Sequence, residues 1–347
     1  MGNQKHTDAG QISKLQRERQ RMPSVDVLVE GIIKGDSSTL GRAITLVESN
    51  RKDHLEKANA IVQKCLSQKR DAIRIGITGV PGVGKSTFIE ALGAQLNAQG
   101  NRVAVLAVDP TSTQSKGSIL GDKTRMDELV KNPKAFIRPS PSGETLGGVA
   151  RKTRETIILC EAAGYNIVLI ETVGVGQSET AVHGMVDFFL LLKLSGAGDE
   201  LQGIKRGIVE MADALVVNKA DGDNIKKAAA AAGAFKRALH LYPPKENGWI
   251  PKVLTCSATE NSGIDAIWEM IQGYIEQNKK SGYFLEKRKR QNRNWLYESI
   301  EERLKSEFFQ NGNIAPEIEK FVTEVMAETI SPFQAAAELI GMFKNKS

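Results

Sequence analysis

The stretch Gly79-Val80-Pro81-Gly82-Val83-Gly84-Lys85-Ser86-Thr87 carries the clearest chemistry in the chain. Its spacing is G-x-x-x-x-G-K-[ST], which lets successive backbone N–H groups curl around phosphate oxygens, with Gly79, Gly82 and Gly84 at the points of closest approach. Lys85 is expected to neutralise β- and γ-phosphate charge from a solvent-facing position, and the Ser86 hydroxyl to hold Mg²⁺. Mg²⁺ selects hard oxygen ligands, so carboxylates at the ends of neighbouring strands are its natural companions. Asp109 closes the run RVAVLAVD and Glu171 closes NIVLIET, while Asp122 lies in the intervening GSILGDKTRM. Lys85, Asp109 and Glu171 are the expected catalytic set, and Ser86, Asp109, Asp122 and Glu171 the expected metal ligands.

A second motif reads a base. Asn218-Lys219-Ala220-Asp221 ends the run ALVV, and a carboxylate at Asp221 can accept from both N1–H and the exocyclic amine of guanine, an arrangement adenine does not offer. Lys219 can lay its stem over the purine and Asn218 can brace the loop. Ser257 and Ala258, in CSAT at 256–259, can bring the Ala258 N–H to guanine O6. A buried carboxylate left without its partners is costly, so such a site discriminates strongly against ATP. Together the two motifs predict hydrolysis of GTP to GDP and phosphate.

Elements of the right kind surround these residues. The phosphate loop follows the strand-like IRIGIT and opens a helix, TFIEALGAQLNAQ. Further short apolar runs, DFFLLLKL, DALVVNKAD and KVLTCSA, alternate with helical patterns. That alternation implies right-handed crossovers and a mostly parallel, doubly wound α/β sheet over residues 72–280. Residues 1–71 read as a helical N-terminal extension, polar as far as about residue 22 and then apolar at helical spacing. Residues 281–347 read as a helical arm, with Ser331 as a cap and Pro332 in the first helical position.

Composition narrows the alternatives. With 41% apolar and 25% charged residues in 347, the chain can bury a full core, which excludes a disordered or fibrous protein. Its three cysteines are far apart, so neither a disulfide framework nor a zinc cluster is implied. No long apolar run suggests a membrane span, and a cytoplasmic setting is expected. The net charge of +6 is mild for this length, and the basic run KRKRQNR (287–293) reads as the solvated face of the arm. No nucleic-acid or membrane partner is expected. A metal-insertion GTPase for a nickel enzyme would share the nucleotide site, but His6, His54, His183 and His240 are dispersed. An ATP-dependent transport-system kinase is a further alternative, against which Asp221 argues.

The motifs GVPGVGKST, AVDPTST, GSILGDKTRM, RPSPSGETLGG, IETVGVGQSE and LSGAGDELQGIKRGIVEMADALVVNKAD together resemble the GTPases associated with methylmalonyl-CoA mutase, including the family long labelled arginine/ornithine transport kinases. The likeness covers nearly the whole chain. It implies a P-loop GTPase that works as a homodimer through its C-terminal arm. It also implies a client, an adenosylcobalamin-dependent acyl-CoA mutase, whose cofactor delivery the protein gates and which it protects or reactivates. The same resemblance makes 195–205 a third switch loop, with Asp199, Gln202 and Lys205 coupling GTP or GDP to the partner. Val175 stands where small signalling GTPases usually carry a water-orienting glutamine, with Gln177 nearby. Intrinsic hydrolysis is therefore expected to be slow, with a partner or the dimer mate completing the site.

Overall fold

Short runs rich in Ile, Val and Leu become strands of one parallel sheet, because such residues fill a surface that helices cover on both faces. The computed structural model describes residues 23–68, 70–108, 126–139, 146–172, 178–196 and 206–346. Two units emerge, residues 1–284 and 285–347.

Among the described residues, the first unit begins with three helices: α1 (Val25–Ile33), α2 (Ser37–Glu48) and α3 (Lys52–Leu66). Asp36 starts α2 by accepting from the Thr39 N–H at 2.8 Å and the Ser38 N–H at 3.4 Å, which satisfies donors the first helical turn leaves without internal partners. The α/β core follows: β1 (Ile73–Gly79), α4 (Lys85–Ala98), β2 (Val103–Val108), α5 (Asp127–Lys131), β3 (Ala135–Arg138), α6 (Leu146–Ala162), β4 (Ile167–Thr172), α7 (Ser178–His183), β5 (Phe188–Lys193), α8 (Arg206–Met211), β6 (Ala214–Val217), α9 (Ile225–Leu239), β7 (Lys252–Thr255) and α10 (Ile264–Lys280). Helices α1 to α3 pack on one another and on α6.

The strand order is β3-β2-β4-β1-β5-β6-β7, with all neighbours parallel. Strand β1 is central, so the loop leaving its C-terminal end opens where connections diverge to the two sides, the usual ligand crevice of an open α/β sheet. Alternate residues sort to opposite faces. Ile75, Ile77, Phe188, Leu190 and Leu192 join Phe88 and Leu92 of α4 and Ile267 and Ile271 of α10 in one core. Leu191, Leu215 and Val217 pack instead with Ala228, Phe235 and Leu239 of α9.

Six strands follow from the apolar runs of the sequence; β3 is a seventh. It is only Ala-Phe-Ile-Arg, at the sheet edge, and each of its residues is half-buried, so it lacks the length and apolar density that mark the central strands.

The second unit takes all of the long helix α11 (Tyr283–Phe309) from Leu285 onward, followed by α12 (Ala315–Met326) and α13 (Pro332–Lys346). A small core of Ile314, Phe321, Ala335 and Leu339 holds the unit, and the Phe308 and Phe343 rings meet at 5.4 Å between centroids. Ser331 caps α13 by accepting from the Gln334 N–H at 3.2 Å. No helix among the described residues is long and apolar enough to cross a membrane.

Candidate functional site

The phosphate loop is set by two glycines. Gly79 (φ 153°) lies so close to β5 that a Cβ would come 2.6 Å from the Leu192 carbonyl, and Gly84 (φ 91°) would put one 2.7 Å from Asn218 Nδ2. A side chain at Gly79 would collide with the β5 backbone, and one at Gly84 would push aside the Asn218 amide. Gly84 is also the N-cap of α4 and supplies no side-chain cap. The first N–H groups of that helix therefore remain available to an anion. Between the glycines, Val83 turns its side chain fully into the core and Val80 packs partly against it, anchoring a loop in which Pro81 and Gly82 are exposed.

Lys85 is not the solvent-facing residue its motif suggests: it is only 8% exposed. Its ammonium folds back to donate to the Gly79 carbonyl at 2.8 Å and the Val80 carbonyl at 3.2 Å. Burial lowers its pKa, while the charges of Glu171 and Glu179 pull it upward. Glu179, on α7, is 1% exposed and accepts from the Ser178 hydroxyl at 3.4 Å. Sequence reasoning did not select Glu179; the signal was a carboxylate eight positions beyond Glu171, which the packing of α7 on β1 and β4 carries under the phosphate loop.

Beside Lys85, Ser86 Oγ donates to Glu171 Oε1 at 3.2 Å. This joins the first turn of α4 to the end of β4. One residue further, Thr172 donates to Thr78 at 2.8 Å, fastening β4 to β1 where both reach the site. A hydroxyl and a carboxylate this close are hard oxygen donors of the kind Mg²⁺ takes, so the described residues fit that ion. Asp109 and Asp122 lie outside the described residues, as do Val175, Gln177, Asp199, Gln202 and Lys205. Thr87 is exposed.

Asn218 ties the two motifs together. Buried at 1% exposure, its Nδ2 donates to the Val83 carbonyl at 2.9 Å. Its Oδ1 accepts from the Ala258 N–H and from Cys256 Sγ, both at 3.3 Å. Burial pushes the Cys256 thiol up to about 12, so it remains a donor. Lys219 takes a left-handed backbone (φ 59°). Asp221 accepts from Ser257 Oγ at 2.5 Å and from Thr259 Oγ1 at 3.3 Å. The structure thus brings Gly79 to Ser86, Glu171, Asn218, Lys219, Asp221, Ser257 and Ala258 to one edge of the sheet.

A family model described as methylmalonyl-CoA mutase-associated GTPase MeaB matches residues 40–313. The chain belongs to this family. Relatives of the MeaB-type chain support the same placement. A probable GTPase of Mycobacterium tuberculosis is 48% identical over 317 residues, covering 91% of this chain and 94% of that protein. The GTPase ArgK of Escherichia coli is 45% identical over 299 residues, 86% of this chain and 90% of its own length. The mouse methylmalonic aciduria type A homolog, a mitochondrial protein, is 45% identical over 332 residues, 93% of this chain and 80% of that one. Among solved structures, one named LAO/AO transport system kinase superposes with a TM-score of 0.73 at 37% identity, covering 92% of this chain and 97% of that one. The protein is therefore a P-loop GTPase of the MeaB family that binds guanine nucleotide.

Proposed function

We propose that this GTPase is a chaperone of an adenosylcobalamin-dependent acyl-CoA mutase, methylmalonyl-CoA mutase in the first instance, gating delivery of the cofactor and protecting or reactivating the enzyme. The match of residues 40–313 to the mutase-associated family is the observation that supports the client. The geometry supports the nucleotide chemistry. Water attacks the γ-phosphorus in line, the bond from that phosphorus to the β,γ-bridging oxygen breaks, and GDP and phosphate leave. Lys85, released from the Gly79 and Val80 carbonyls, turns to the β- and γ-phosphates. N–H groups of Gly82 to Ser86 cradle the phosphates, and Asp221 and the Ala258 N–H hold guanine. Ser86 and Glu171, with Asp109 and Asp122, would hold Mg²⁺, which would supply positive charge against the phosphate oxygens.

Loss of the γ-phosphate changes what Glu171 and the adjoining segments can contact, and so the surface a client meets. Asp199, Gln202 and Lys205 carry that change to the partner. The working form is a cytoplasmic homodimer joined through residues 281–347. A transport-system kinase, as one solved relative is named, acting on ATP is not supported by a base loop that ends in Asp221.

Retention of an acyl-CoA mutase by the tagged protein, tested separately in the GTP-analogue and GDP states, checks the client; retention in neither state refutes it. Lys205→Ala should leave basal hydrolysis near wild type and blunt the acceleration the mutase provides. Equal loss of basal and stimulated hydrolysis would place Lys205 in the catalytic machinery instead.

A further inference from the structure

Asn224 stands at the N-cap of α9, yet its side chain makes no capping bond to that helix. An asparagine at this position ordinarily accepts from the N–H groups of the first turn. Here the amide turns the other way. Its Nδ2 donates to the Lys219 carbonyl at 2.5 Å, and its Oδ1 accepts from the Ser195 hydroxyl, also at 2.5 Å. The orientation is fixed chemically, since a carbonyl oxygen needs the amide's donor and leaves its acceptor for the serine. Ser195 lies just beyond the end of β5, 29 residues from Asn224, so this contact spans from one strand end to the far side of the base loop.

The bonded carbonyl belongs to Lys219, which holds a left-handed backbone at φ 59°. A residue with a Cβ populates that region sparsely unless neighbours hold it there. The loop's other end is already fixed by Asn218 on Val83, and the Ala220 N–H donates to the Cys256 carbonyl at 2.9 Å. Lys219 is the bend between them, and its conformation directs both its own stem and the approach of Asp221.

We propose that Ser195 and Asn224 form a brace that holds Lys219 in its left-handed conformation and thereby sets the affinity of the site for guanine nucleoside di- and triphosphates. Ser195 and Asn224 are positioning residues, acting through Lys219 without touching the nucleotide. The inference rests on reading 218–221 as the guanine loop.

Calorimetric titration of the full chain with GDP tests both levels. Asn224→Ala should weaken GDP about three- to tenfold, as loss of a single neutral hydrogen bond would. Asn224→Asp, which keeps the acceptor for Ser195 but loses the donor to Lys219, should weaken it as much. In a Lys219→Gly background, where glycine adopts the left-handed backbone unaided, Asn224→Ala should change affinity by less than about twofold. Ser195→Ala should weaken GDP in the same direction and add nothing once Asn224 is alanine. Unchanged affinity in Asn224→Ala, or the same loss with Lys219 and with glycine, would overturn the brace. Unchanged affinity in Ser195→Ala would overturn the part given to Ser195. Asp221→Asn supplies the control, because an amide there can donate to the C2 carbonyl of xanthine. It should exchange GDP preference for xanthosine diphosphate, and failure to do so would remove the guanine-loop reading itself.

Discussion

Asn218 donates to the Val83 carbonyl at 2.9 Å across 135 residues of chain, so the base loop and the phosphate loop share one side chain. Its other face accepts from the Ala258 N–H, the group expected to meet guanine O6. Asn218→Ala should therefore fail in two ways. It strands a buried carbonyl and a buried N–H, which should cost about 2–3 kcal/mol in denaturant unfolding. It should also weaken GDP and GTP alike, because phosphate loop and base loop lose their common register. A variant of unchanged stability with selective loss of one nucleotide would contradict this account.

Lys85 presents a different balance. Its burial lowers the pKa of the ammonium, so the nucleotide-free fold tolerates that charge rather than depending on it. Lys85→Met keeps the apolar stem and should leave the midpoint of thermal unfolding without nucleotide unchanged or higher. It should nevertheless abolish tight GTP binding or hydrolysis. A lower midpoint without nucleotide would mean that the bonds to the Gly79 and Val80 carbonyls matter more to folding than the buried charge costs.

The elements around the site were legible because their signals are local. A strand, three glycines and a helix announce the phosphate loop within some twenty residues, and ALVV before Asn218 does the same for the base loop. What stayed hidden depends on contacts between distant segments. No periodicity shows that the Lys85 ammonium folds back onto the Gly79 and Val80 carbonyls, or that the packing of α7 adds the Glu179 charge to that of Glu171 around it. Nor does it show that Asn224 turns away from its own helix towards Ser195. Strand β3 escaped for the opposite reason: Ala135 to Arg138 is too short and too exposed to carry a pattern, and is held by its pairing with β2.

Asp36 gives a pH signature to the N-terminal helices. Its pKa is lowered below the ordinary 3.8, first by the hydrogen bond from the Thr39 hydroxyl and then by that from the Thr39 N–H. A carboxyl with a lowered folded value contributes stability above its unfolded value and loses it as pH falls through the folded one. Asp36→Ala should destabilise the protein by about 1 kcal/mol near pH 7, as loss of an N-cap does. The gap between variant and wild type should close as pH drops below 3.8. A gap that persists under acid conditions would assign the effect to packing of α2 instead.

The arm supplies the last prediction. On α11, Leu285, Leu296, Ile300 and Leu304 are 65%, 59%, 46% and 58% exposed. Leu296, Ile300 and Leu304 recur every four residues, which places them along one stripe of the helix. Phe284 is the buried residue of that helix among the described ones, so the stripe is apolar surface that a second copy of the chain can cover. In the proposed homodimer, Leu296→Glu combined with Leu304→Glu would bury two carboxylates without partners at the interface. The double variant should sediment and scatter light as a monomer while retaining GDP affinity, because neither residue lies at the nucleotide site. A dimer of wild-type strength would move the interface off this stripe.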